Sequence, residues 1–212
     1  MSTATRRRTL TRAAGAAVLV VLLAACGNSL AGNALTVGPT TVSDARLDAM
    51  VTELKDQLAL TNQQEPFDQG AATASNVDRL VRSALLEQAA VREGIVVTQG
   101  DVDSVISTTA TNNFGGDMAA LELQLAQDQN IPASQVPSFA RDFLLQQKLG
   151  EKLAPGGSAE QVSAALVQNL SALSTELGAE VSPRFGTWDA ASISLTPVPD
   201  DLSVLPSIPP TE

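Results

Sequence analysis

The chain is predicted to be a mainly α protein of about six helices, on three observations. Six segments between breakers carry apolar residues three and four apart, which places them on one face of a helix. Aromatic residues are scarce, with five Phe, one Trp and no Tyr, so the core falls to Leu, Val, Ile, Met and Ala, a composition suited to helix packing rather than to a β-sandwich. Capping residues and glycines punctuate the ends of the periodic segments.

Taken in order, Ala34-Leu35-Thr36-Val37-Gly38 is a short strand that ends in a turn at Gly38-Pro39. Ser43 caps a first helix reaching about Leu60, with Leu47, Met50, Val51, Leu54 and Leu58 on its apolar face and Asp44 at the positive end of its dipole. Residues 61–70 read as a loop. A second helix spans about Asn76 to Glu93, capped by Ser75 and stopped by Gly94, with Val77, Leu80, Val81, Ala84, Leu85 and Ala89 in register. Thr98, three residues before Asp101, is a variant of the capping box and opens a third helix bearing Val102, Val105 and Ile106, which breaks at Phe114-Gly115-Gly116. A short fourth helix runs from Asp117 to about Gln129 and ends before Pro132. The fifth covers about Ser134 to Leu153, accommodates Pro137 in its first turn, and carries Val136, Phe139, Ala140, Phe143 and Leu144 on its apolar face. Ser158 and Gln161 form a capping box for the sixth, with Val162, Leu166, Leu170, Leu173 and Leu177 in register before Gly178. Residues 179–188 read as extended. Residues 191–212, with Pro197, Pro199, Pro206, Pro209 and Pro210, read as a disordered tail.

The N-terminus carries an address. Arg6, Arg7, Arg8 and Arg12 precede an uncharged apolar run from Ala13 to Ala25, which ends at the chain's only cysteine in Leu23-Ala24-Ala25-Cys26. The order resembles the lipobox of bacterial lipoproteins. That resemblance implies a signal peptide of residues 1–25, cleavage between Ala25 and Cys26, acylation of Cys26 (diacylglycerol, palmitate) and an extracytoplasmic protein lipid-anchored to the bacterial cell membrane. The run is shorter than the ~20 apolar residues of a spanning helix. The export signal fits the general secretory route better than the twin-arginine one, because Thr9-Leu10-Thr11 follows the arginines. Residues 26–33, small and polar, read as a flexible tether. No second cysteine is present for a disulfide, so the core alone must hold the fold.

Charge and composition narrow the function. The full chain has a formal net charge of −10, and removing the leader's four arginines takes it to about −14. A protein this acidic is repelled by nucleic acid, so none is expected as a partner. The chain has no histidine, which excludes Ser-His-Asp and Cys-His nucleophile systems and histidine-containing zinc sites. Asp101 and Asp103 sit in the first turn of a helix, where acids stabilise the dipole, and are read as caps rather than metal ligands. Phe114-Gly115-Gly116 lacks the Lys-Ser/Thr of a phosphate cradle. No catalytic, cofactor or metal site is expected.

Glu87-Gln88-Ala89-Ala90, then Glu93-Gly94-Ile95-Val96-Val97-Thr98 before an acidic helix start, then the closing Val181-Ser182-Pro183-Arg184-Phe185-Gly186-Thr187-Trp188 together resemble the N-terminal chaperone domain of the SurA family, related to PrsA and trigger-factor-type chaperones and carried by short actinobacterial lipoproteins. The resemblance covers residues 34–190. It implies a short two-stranded β pairing between the N-terminal and C-terminal segments, and a function in binding non-native or extended segments of secreted proteins without ATP. Full-length relatives insert a parvulin-type prolyl isomerase domain before the closing strand. Here the sixth helix reaches that strand directly, so isomerase activity is not carried over and no enzyme is expected. Partners are expected to be unfolded or extended polypeptide clients and, through the lipid anchor, the membrane. The alternative is a structural or adaptor lipoprotein that holds one specific cell-envelope protein. Arg184, Phe185 and Trp188 are read as pinning a strand to the helical core. Leu86, Leu123, Leu145 and Val167 fall off the main apolar faces of their helices and either widen the core or line an open client groove.

Overall fold

Gly38-Pro39 turns the chain back on itself instead of leading it into a helix. A computed structural model describes residues 30–61 and 66–198. In it β1 (Asn33–Val37) forms an antiparallel hairpin with β2 (Thr40–Ser43). Gly38 takes a left-handed φ of 54° at the hairpin tip, where a Cβ would already stand 3.0 Å from a methyl of Leu177. Ser43 is the last residue of β2 and the cap of α1 (Asp44–Ala59), accepting from the Arg46 N–H at 3.2 Å.

α2 (Gln69–Glu93) begins seven residues before its expected start at Asn76, and its cap is Asp68 rather than Ser75. Asp68 accepts from the Ala71 N–H at 2.9 Å, and Thr73 returns its hydroxyl to the Gln69 carbonyl at 2.7 Å. Gly70 and Thr73 are weak helix formers, but Ala72 is fully buried, and that packing overrides propensity. α3 (Gln99–Phe114) opens on the Thr98–Asp101 box, and α4 (Met118–Gln129) is capped by Asp117. A single 3-10 turn (Ala133–Gln135) leads into α5 (Val136–Leu153), and the Ser158–Gln161 box opens α6 (Ala159–Leu177).

The chain then returns to its beginning. β3 (Glu180–Val181) pairs antiparallel with β1, Leu35 opposite Val181, which bears out the pairing of N- and C-terminal segments and enlarges it to a three-stranded sheet of order β2-β1-β3. β4 (Thr187–Asp189) and β5 (Ser194–Thr196) make a second, two-stranded sheet. The tail expected from residue 191 is therefore corrected over its first eight residues. β5 belongs to the fold, Ile193 is buried despite a φ of 52°, and the Leu195 N–H donates to Asp78 at 2.9 Å. The tether expected over 26–33 is corrected at its end: Leu30 to Gly32 form a turn, Asn33 is in β1, and the Asp44 N–H donates to the Gly32 carbonyl at 3.0 Å. Cys26, residues 1–29 and residues 199–212 lie outside the described residues.

α2 is the central helix and packs against α1, α5, α6, β1 and β5. The core runs through Leu35, Leu47, Leu54, Val77, Leu85, Leu145 and Leu149, all fully buried. Burying side chains of this size contributes roughly 1.5–3 kcal/mol each. Among the described residues no helix is long and apolar enough to cross a membrane.

Candidate ligand groove along the fifth helix

α5 has two apolar rows. Val136, Ala140, Leu145 and Leu149 turn inward and are buried. Phe139 and Phe143, four residues apart, form a second row, with Gln146 continuing it a turn later. Phe139 is half-buried, whereas Phe143 is 53% exposed. The expectation that Phe143 belongs to the core is corrected here. The inward face of α5 is rotated toward Leu145, which is fully buried.

Phe143 stands where three hollows meet. The first, about 160 Å³, lies between α5 and the α3–α4 pair, and Val105, Ile106, Leu121 and Leu125 line it. The second, about 380 Å³, lies between α5 and α2 and includes Arg79, Arg82 and Asp142. The third, about 590 Å³, is walled by Leu86, Val162, Leu166, Val167 and Ile193 between α2, α5 and α6. Shared residues make them one valley: Phe139 and Phe143 join the first to the second, and Arg82, Leu86, Phe143 and Gln146 join the second to the third. A broader hollow of about 920 Å³ follows the outer face of α6, but small residues such as Ala164, Ser171 and Ala172 dominate it and offer little to grip.

Of the four off-face residues singled out in the sequence, the valley brings two together. Leu86 forms part of its floor, and Val167, 43% exposed, stands at its rim. Leu145 is fully buried and widens the core, and Leu123 is half-buried and lines none of the three hollows. Phe139 and Phe143 were assigned to the core by spacing alone. The signal that separates them is the second row itself, two aromatics followed by Gln146 on a helix that already has a Leu and Ala face.

Polar groups hold the valley's frame. Asn76, almost fully buried, donates to the Ala72 and Asn130 carbonyls at 2.9 Å each and so ties α2 to the end of α4. Its Oδ1 accepts from Arg79 Nη2 at 3.0 Å. Asp142 is buried and accepts from the Ser83 hydroxyl at 2.9 Å. Burial pushes its carboxyl up to about 6, against the pull of that hydrogen bond and of Arg79. Arg141 pairs with Glu87 and also donates to the Val97 carbonyl at 2.7 Å, clamping α5 to α2.

Asp101 accepts from the Thr98 N–H at 2.9 Å, which holds its carboxyl below the usual range, and Asp103 accepts from Gln99 at 2.8 Å. Both are helix-terminus residues, and among the described residues no group of three His, Cys, Asp or Glu is placed to hold a metal ion. The closing segment is a pin: Trp188 donates to the buried Ser174 hydroxyl at 2.8 Å, and Arg184 pairs with Asp44 at 2.5 Å while lying 4.4 Å above the Phe185 ring.

The arrangement can hold an extended apolar segment against Phe139, Phe143, Leu86 and Val167, with donors at Arg79 and Arg82 beside it. Comparison with known proteins agrees with this architecture. The family model described as the SurA-like N-terminal domain matches residues 5–149. No curated protein and no solved structure matches the chain. The matched span holds α1 to α4 and nearly all of α5, whereas α6 and the closing Arg184-Phe185-Gly186-Thr187-Trp188 lie beyond it. The chain belongs to the SurA-like N-terminal domain family, a chaperone-type family of extracytoplasmic proteins.

Proposed function

We propose that the protein is a membrane-anchored extracytoplasmic holdase, in which non-native or extended segments of secreted proteins lie in the valley along α5, without ATP and without covalent chemistry. The observation that carries this reading is Phe143, an aromatic ring 53% exposed where three hollows meet on a frame of packed helices. Seating one large apolar client side chain there contributes roughly 1.5–3 kcal/mol. Such contacts are weak singly and add along a segment, so clients bind and leave without an energy source. The leader ending in Cys26 supports the anchor.

The test is an aggregation assay on the soluble chain from Gly27 with two unrelated unfolding clients. Suppression of both is expected. Phe143→Ser, a change at an exposed position, is expected to lose most of the suppression while its helical circular dichroism stays unchanged. Suppression of neither client by the wild-type chain would sink the holdase reading in favour of an adaptor that captures one cell-envelope protein.

A further inference from the structure

The middle of the valley is not uniformly apolar. In the hollow of about 380 Å³ between α2 and α5, Phe139 and Phe143 face Asp78, Arg79, Arg82 and Asp142. The two carboxylates are committed. Asp78 takes Arg82 Nε at 2.9 Å and the Leu195 N–H at 2.9 Å, and Asp142 accepts from Ser83 at 2.9 Å. The adjoining charges Arg141 and Glu87 pair with each other. Arg79 differs. Nη2 donates to Asn76, but Nη1 is enclosed without an acceptor, and none of the six ion pairs among the described residues includes Arg79. Burial lowers its pKa, and the nearby Asp142 offsets this only in part. Arg79 is a cation short of both water and a bonded counter-charge, held in the wall of an open hollow.

We propose that this hollow is a subsite for an acidic side chain: it takes client segments in which Asp or Glu stands beside a large apolar residue, the carboxylate on Arg79 and the apolar side chain on Phe143. The proposal rests on the reading of the valley as the client site. A guanidinium presents a planar fork that matches a carboxylate, and a small rotation of the long side chain brings Nη1 to it. The two rings keep water from one side of the contact, so it is stronger than an exposed ion pair. A client lysine at the same place meets the Arg79 guanidinium and is repelled, whereas Arg82 is already paired with Asp78. A client glutamine keeps the hydrogen bond and loses the charge.

The experiment is fluorescence anisotropy of the soluble chain from Gly27 with three extended apolar peptides that differ only in carrying Glu, Gln or Lys at one position. The Glu peptide is expected to bind about tenfold more tightly than the Gln peptide, the difference between a charge-assisted and a neutral hydrogen bond, with the Lys peptide weakest. Arg79→Lys keeps the charge without the fork and is expected to retain part of the preference. Arg79→Met is expected to abolish it while leaving the Gln peptide within about twofold. The wild-type peptide series does not depend on either variant folding. Equal binding of the three peptides would overturn the subsite and leave the valley reading standing, whereas no binding of any peptide would overturn both.

Discussion

Asp142 is the residue through which pH reaches the middle of the fold. Its carboxyl is pushed from 3.8 to about 6 by burial, with Ser83, Arg79 and Glu87 from α2 and Arg141 from its own helix as neighbours. The folded state therefore holds the proton more tightly than the unfolded chain does. Stability from this group is greatest below about pH 4, falls as pH rises from about 4 to about 6, and is flat above. A shift of this size corresponds to a penalty on the order of 2–3 kcal/mol at neutral pH. Asp142→Asn keeps an oxygen for the Ser83 hydroxyl and removes the charge, although it also removes the attraction for Arg79. The variant is expected to be about 1–2 kcal/mol more stable than the wild type at pH 7 and no more stable at pH 4. Denaturant midpoints across that range check it, and parallel curves for the two proteins would show that the carboxylate is not under strain. Asp142 was not singled out in the sequence, because nothing local distinguishes a buried Asp from an exposed one.

At the scale of elements, the crossing of α5 on α6 depends on a position with no side chain. A Cβ on Gly150 would stand 2.6 Å from Val162 Cγ1. Glycine costs a helix interior about 1 kcal/mol relative to alanine, so its presence here marks close approach rather than local preference. Val162 is β-branched and cannot swing aside freely. Gly150→Ala is expected to destabilise the protein by about 1–2 kcal/mol net, because overpacking of about 1–3 kcal/mol exceeds the propensity gain. Adding Val162→Ala is expected to recover most of the loss, and additive effects in that double-mutant cycle would refute the clash. The helix ends behave differently. The boxes at Thr98–Asp101 and Ser158–Gln161, and the glycine stops at Gly94 and Gly178, stand where their residues place them, since a cap bonds only three residues along the chain. The start of α2 moved to Asp68 because the packing of Ala72 lies in three dimensions rather than in the local pattern. β2 was missed for a related reason: Thr40 to Ser43 is too short to show an alternation, and only β1 beside it makes it a strand.

For the whole molecule, the arrangement joins the first strand to the segment that follows the last helix, with α6 and β3 returning to β1. The proposed lipid anchor at Cys26 has its own test at this scale. Cells given labelled palmitate are expected to incorporate it into the wild-type protein, found in the membrane fraction, and not into Cys26→Ser, which is expected to appear unlabelled and unanchored. An unlabelled, soluble wild-type protein would make the leader an ordinary secretory signal. By itself the sequence determined the number of helices, most of their ends, the mainly α class and the family, because periodicity, caps and family motifs are written in neighbouring residues. Only the tertiary structure decided that Leu145 is core while Phe143 faces water, that Leu86 and Val167 share a valley that Leu123 does not reach, and that Arg79 Nη1 is enclosed without an acceptor. Exposure and pairing are set by helices tens of residues away in the chain, and no local pattern records which of two apolar rows on α5 those helices will cover.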